Sequence, residues 1–333
     1  MGLSNGSGTR VIDLVAIGGG TGLSTLLSGL KGYVGTDEGD VSIGRLSAIV
    51  AVSDDGGSSG RLRDELQMPP PGDIRNCMVA LSEDSHLLAK LFKHRFSGDG
   101  DLAGHNFGNL FLAALAEVTG DFTEAVRLSS EILASKGHIY PATVSDVRIA
   151  ARLTDGTVVR GETNISKTGG AIERLYLEPE NCDPHPDALA AIAEADLITV
   201  GPGSLFTSLL PPLLVHGVVD AIVKSPAVKI FVCNLMTQPG ETDGLTSRRH
   251  LEIIREYAPD LTFDYLLVND REISPTQAQL YTQDGAEQIG VHGSIDSVEI
   301  EGTRVIHTDL LDDGPLVRHH PDRLAKAVVK TAV

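Results

Sequence analysis

Apolar side chains along this chain alternate between two kinds of pattern. Residues 11–17 (VIDLVAI), 46–52 (LSAIVAV), 196–200 (DLITV), 228–233 (VKIFVC) and 263–268 (FDYLLV) are short apolar runs rich in β-branched residues. Such runs predict strands buried on both faces of a parallel sheet. Between them the spacing turns helical. Leu23, Leu26, Leu27 and Leu30 share one helical face directly after the first run, and residues 247–257 read the same way. A helical block is predicted over about 86–135, where Leu87, Leu88, Leu91 and Phe92 lead into apolar stretches at 110–118 and 125–133. Over about 144–165 the period drops to two on both sides of Asp155 and Gly156, a type I′ turn signal that predicts an antiparallel hairpin.

Strands that alternate with helices define the α/β class. The predicted architecture is a Rossmann-like, doubly wound, mainly parallel sheet with a helical insertion and a small antiparallel hairpin. Residues 1–9, rich in Gly and Ser, read as a flexible leader. Residues 10–333 read as one domain, because neither an internal repeat nor a long linker divides them.

Composition narrows the function. At 333 residues with 41% apolar side chains the chain can bury a substantial core. A formal charge of -18, from 45 acidic and 27 basic residues, opposes binding to nucleic acid or to an anionic membrane. No apolar run approaches the ~20 residues of a membrane helix, and the start lacks the layout of a signal peptide. The expectation is a cytoplasmic protein without membrane insertion. Cys77, Cys182 and Cys233 contain no C-x-x-C pair and read as reduced thiols. An anionic ligand must then be held by backbone N–H groups, a few placed Arg or Lys side chains, or a bound cation such as Mg²⁺.

Candidate chemistry sits where strands end. Gly18, Gly19, Gly20, Thr21 and Gly22 follow the first strand and open a helix, a geometry that brings backbone N–H groups against a phosphate. The same glycines would also serve a tight strand-to-helix turn. They miss the G-x-G-x-x-G dinucleotide fingerprint, and no Gly-Lys-Ser/Thr follows as in a phosphate-binding P-loop. A second loop, 53–60 (SDDGGSSG), ends the next strand. Asp54 and Asp55 there can hold a metal or act in catalysis, with Gly56, Ser58 and Ser59 facing phosphate, or the loop can simply cap a helix at 61–66. PPPGDIRN delivers Asp73, Arg75 and Asn76, with Arg75 suited to clamp a phosphate. GHNFGN places His105, Asn106 and Asn109 at a helix start, His105 being a candidate general acid or a cap. GPGSLFTS supplies Gly201, Gly203, Ser204 and Thr207, a second anion-binding turn. Finally, 233–244 (CNLMTQPGETDG) brings Asn234 and Thr237. Four polar loops at strand ends describe one crevice.

These stretches together resemble the gluconeogenesis factor family of bacteria, which shares a superfamily with 2-phospho-L-lactate transferase. The resemblance covers residues 11 to about 329 and rests on GGGTGLS, SDDGGSSGRLR, PPPGDIRN, GHNFGNL, GPGSLFTSLLP and NLMTQPGETDG. It implies a Rossmann-like protein that binds UDP-N-acetylglucosamine, acts through regulatory protein partners, links carbon metabolism to cell-wall synthesis and cell shape, and can form a homodimer. Two family ligand positions match Tyr281 in LYTQ and Arg318 in LVRHH. A Tyr can stack on a uracil ring and an Arg can pair with a diphosphate. The transferase branch implies instead a Mg²⁺-dependent enzyme that acts on a nucleotide-linked phospholactate donor, with Asp54 and Asp55 at the metal.

Overall fold

The computed structural model describes residues 9–83, 86–282, 285–290 and 299–332. The predicted leader, apart from Thr9, lies outside them. The strands are β1 (Arg10–Gly18), β2 (Val41–Val50), β3 (His138–Pro141), β4 (Arg148–Leu153), β5 (Val158–Arg160), β6 (Ile172–Glu178), β7 (Leu197–Val200), β8 (Val228–Val232), β9 (Tyr265–Asn269), β10 (Glu299–Ile300) and β11 (Thr303–Thr308). Eight form the main sheet in the order β10-β11-β9-β8-β7-β1-β2-β3, every pairing parallel except β10 with β11. The apolar runs fill its centre: Leu14, Ala16 and Ile17 of β1 and all of β7 are buried.

Helices cover the sheet. The first, α1 (Gly20–Leu30), buries Leu23, Leu26, Leu27 and Leu30 on one face, each worth about 2 kcal/mol of transfer energy. Next come α2 (Gly57–Leu66) and α3 (Gly72–Leu81), then the helical block of α4 (His86–Lys93), α5 (Phe107–Thr119) and α6 (Phe122–Ile132). The block leaves 94–106 non-helical. A helix over Ser247–Tyr257 coincides with the predicted one.

Three differences from the sequence reading have physical causes. The hairpin of β4 and β5 gains a third strand, β6, on the far side of β4, giving a separate sheet in the order β5-β4-β6. In β6 only Leu175 and Leu177 are buried, so its apolar signal is short. Strand β3 is four residues long, ends in Pro141, and forms the sheet edge. The helix α2 buries Ser58, Ser59 and Gly60, so its inner face carries almost no apolar period.

Candidate functional site

The chain leaves β1 in one direction, through β2 to β3, and later returns on its other side through β7, β8 and β9. Neighbouring strand ends therefore diverge between β1 and β7, the point where open α/β sheets bind ligands. A cleft of about 530 Å³ lies there. Its walls are the loops after β1, β7 and β8, joined by Glu162 and Ser166 from the small sheet's side and by Tyr281, Arg318 and His319 from the C-terminal part.

The glycines after β1 serve two ends at once. Gly20 has φ +63°, a left-handed conformation that favours Gly, and this turn starts α1 directly. A Cβ on Gly22 would lie 2.4 Å from the Pro202 carbonyl oxygen, so this glycine lets the loops after β1 and β7 touch backbone to backbone. The Gly20 N–H does not face the cleft empty-handed: it donates to Asp73 Oδ2 at 2.7 Å. Burial, reinforced by nearby Asp54, pushes the Asp73 carboxyl up to about 6 despite that hydrogen bond.

The loop after β7 opens a helical stretch as well. Gly201, Gly203 and Ser204 lead into a π turn (Leu205–Leu209) that contains Thr207 and runs on into a five-residue helix holding Pro211 and Pro212. The neighbouring loops hold this one in place. Asn234 Oδ1 accepts from Gly203 N at 3.1 Å, and Ser204 Oγ donates to Glu241 Oε2 at 2.6 Å while Ser166 Oγ donates to Glu241 Oε1 at 2.6 Å. Thr237 is buried, and its backbone and hydroxyl bond Glu287.

At the other end of the cleft, Arg318 is exposed, and its guanidinium has no hydrogen bond or ion pair among the described residues. The Tyr281 hydroxyl accepts from Val317 N at 3.1 Å. His319, buried beside them, bonds the Cys233 carbonyl, and its Nε2 has no partner among the described residues; burial lowers its pKa to about 4. A neutral ring that donates from one nitrogen keeps the other as an acceptor. Glu162, in the wall itself, is also an unusual acid: burial first, then Asp54, Asp73, Asp55 and Glu241, raise it to about 9.

The remaining candidates lie beside the cleft, not in its lining. Ser58 Oγ sits 3.2 Å from His105 Nδ1 and accepts from Asn106 N at 3.2 Å and Asn109 Nδ2 at 3.3 Å. Ser59 Oγ accepts from Asn109 Nδ2 at 3.4 Å, and Asn106 Oδ1 caps α5 through Asn109 N. Burial, then the nearby Arg61, lowers the His105 pKa. Arg75 Nη2 donates to Asn76 Oδ1 at 2.8 Å, and its Nε is buried without a partner. Burial, then Arg95, lowers the Arg75 pKa. Of the four expected loops, three therefore line the cleft, and 53–60 belongs to this adjoining cluster. Asp73, on α3, connects the two.

The donor set does not fit a resident Mg²⁺ at Asp54 and Asp55. Asp55 Oδ1 is taken by the Thr163 N–H and hydroxyl at 2.9 and 2.7 Å, and Asp54 Oδ1 by Gly56 N at 2.8 Å. Among the described residues no group of three or more His, Cys, Asp or Glu side chains is arranged to hold a metal ion.

Sequence reasoning passed over Glu162, Ser166, Glu241 and His319. Glu241 and His319 stood inside motifs already singled out. Glu162 and Ser166 gave no local signal, because a separate sheet carries them to the cleft.

Comparison with known proteins agrees with this architecture. The family described as 2-phospho-L-lactate transferase CofD matches residues 14–311. A putative gluconeogenesis factor of Aquifex aeolicus is 46% identical over 325 residues, covering 96% of this chain and 97% of its own. The gluconeogenesis factor of Bacillus subtilis is 42% identical over 317 residues, covering 95% and 96%. A crystal structure of a Bacillus halodurans protein superposes with a TM-score of 0.89 at 41% identity, covering 96% of this chain and all of that one. With a shared fold and identity of this order along nearly the whole length, the chain belongs to the gluconeogenesis factor family, within the wider 2-phospho-L-lactate transferase family.

Proposed function

We propose that the protein binds a nucleotide sugar, UDP-N-acetylglucosamine, in the cleft between β1 and β7 and acts as a regulatory protein linking carbon metabolism to cell-wall synthesis and cell shape. The observation that carries this reading is the meeting of the loops after β1, β7 and β8 with Tyr281 and Arg318 around one cavity of about 530 Å³. That volume lies within the usual range for small-molecule sites. A nucleotide sugar needs a place for a diphosphate and donors and acceptors for base and sugar. Arg318 and the remaining N–H groups at the start of α1 suit the diphosphate. Asn234, Gln238 and the His319 ring suit the polar edges of the other groups. The output is then contact with partner proteins.

Calorimetric titration with UDP-N-acetylglucosamine, with and without Mg²⁺, tests the proposal. Saturable binding at one site per chain is expected, and it should persist in a chelator. Absence of saturable binding overturns it.

One observation favours a second reading, a transferase: Glu162, raised to about 9, lines the cleft, and Asp73, raised to about 6, holds its Gly20 wall from behind. Product formed from a nucleotide-linked phospholactate donor would establish that reading.

A further inference from the structure

Glu162 enters the cleft from a turn that is fixed on both sides. It opens a one-turn helix (Glu162–Ile165) soon after β5. Ahead of it, Gly161 has φ +88°, and a Cβ there would lie 2.1 Å from Asp55 Oδ2, so the chain meets this carboxyl only with a glycine in place. Behind it, Thr163 donates its N–H and its hydroxyl to Asp55 Oδ1 at 2.9 and 2.7 Å. Past the helix, Ser166 Oγ donates to Glu241. The backbone around Glu162 is thereby tied to the loops after β2 and β8, and Glu162 lines the cleft.

The carboxyl itself lacks such support. Among the described residues it has no hydrogen bond or ion pair. The groups that act on it are Asp54 and Asp55 from the loop after β2, Asp73 from α3 and Glu241 from the loop after β8, and no Arg or Lys is among them. An acid buried among other acids, with neither a cation nor an N–H to stabilise its charge, keeps its proton. This agrees with the rise of Glu162 to about 9. Asp73 also holds the Gly20 N–H, so Glu162 stands on the α1 side of the cleft, where the diphosphate is placed.

We infer that Glu162 is a specificity-determining residue of the cleft: it presents a neutral carboxylic acid whose O–H donates to an oxygen of the ligand's diphosphate, so that an anion is accepted beside a group of acids. This rests on the nucleotide-sugar reading of the cleft. A carboxylate in the same place would repel that ligand.

The test compares two neutral replacements across pH. UDP-N-acetylglucosamine affinity is measured by calorimetry for the full chain, Glu162→Gln and Glu162→Met. Gln keeps a neutral donor, and its affinity at pH 7 should lie within about twofold of wild type. Met removes the donor and should bind about fivefold more weakly, the usual effect of one lost hydrogen bond. At pH 10 only about a tenth of the free wild-type chains carry the Glu162 proton, so wild type should lose about tenfold more affinity than Glu162→Gln. Titration of the ligand's own uracil ring is common to both chains and cancels. In the ligand-free protein the Glu162 carboxyl carbon, identified by its loss in Glu162→Gln, should titrate near pH 9 in NMR spectra. Tighter binding by Glu162→Gln at pH 7 overturns the inference, as do equal losses of the two chains at pH 10, wild-type affinity in Glu162→Met, or a carboxyl midpoint below pH 7. Should the wild type fail to bind the nucleotide sugar, the functional reading falls, and the carboxyl titration still decides whether the wall presents an acid or an anion.

Discussion

Two polar regions lie side by side at the carboxyl ends of the sheet, and they spend their polar atoms differently. In the cluster around Ser58, the side chains bond one another: His105, Asn106 and Asn109 all converge on the two serines of α2. In the cleft between β1 and β7, the hydrogen bonds fix loops against loops, as Asn234 does for Gly203, while Arg318 and the Nε2 of His319 keep open valences. Loops rich in Gly, Ser, Asn and Asp thus yield a buried, mostly internally bonded network in one place, with Asn109 Oδ1 and Arg75 Nε left over among the described residues, and a lined cleft in the other. A buried network that is satisfied stiffens a fold; a surface with unused donors and acceptors has something left for a ligand.

Breaking the receptive side should have the largest functional effect. Arg318→Glu puts an acid where the diphosphate is placed, and calorimetry should show affinity lower by about two orders of magnitude or more. The thermal midpoint should stay near wild type, since the side chain is exposed and has no partner to lose among the described residues. Retained affinity would move the phosphate site elsewhere.

Asp73, which joins the two regions, sharpens the comparison through pH. Its folded pKa of about 6 exceeds its ordinary 3.8. The native state therefore holds the proton more tightly, and stability falls as pH rises between those values, with the full cost present above about 6. Asp73→Asn should gain on the order of 1–2 kcal/mol over wild type at pH 8 and almost nothing near pH 3, measured by denaturant unfolding at both. His319 opposes this slope: its depressed pKa of about 4 costs stability as pH falls below the ordinary 6.5. An Asp73→Asn gain that is the same at both pH values would refute the buried ionised acid.

The smallest effect is expected in the cluster around Ser58. Ser58→Ala strips an acceptor from Asn106 N and Asn109 Nδ2, and should cost about 1 kcal/mol of stability while nucleotide-sugar affinity changes less than about twofold. A large loss of affinity with unchanged stability would make the cluster part of the ligand site.

Much of the fold was legible before the structure. Runs such as 11–17 and 228–233 became the central strands because short apolar segments with β-branched residues suit strands buried on both faces. Strands β3, β6 and β11 were not legible. Each lies at or near a sheet edge or in the small sheet, where fewer buried side chains are needed and the period fades. The site was legible as a set of loops, yet not as a partition of them. Nothing in GGGTGLS or SDDGGSSG says which loop lines the cleft, because both are strand-to-helix turns rich in small polar residues.

The sequence by itself determined the α/β class, the polar strand-end loops and the family they belong to, since local periodicity and glycine placement act over a few residues. Tertiary structure alone decided that Gly22 exists for contact with Pro202, that Asp55 is spent on Thr163, and that Glu162 and His319 reach the cleft. These are contacts between segments distant along the chain, and strand order and crossing of the chain at β1, not local pattern, set which groups meet.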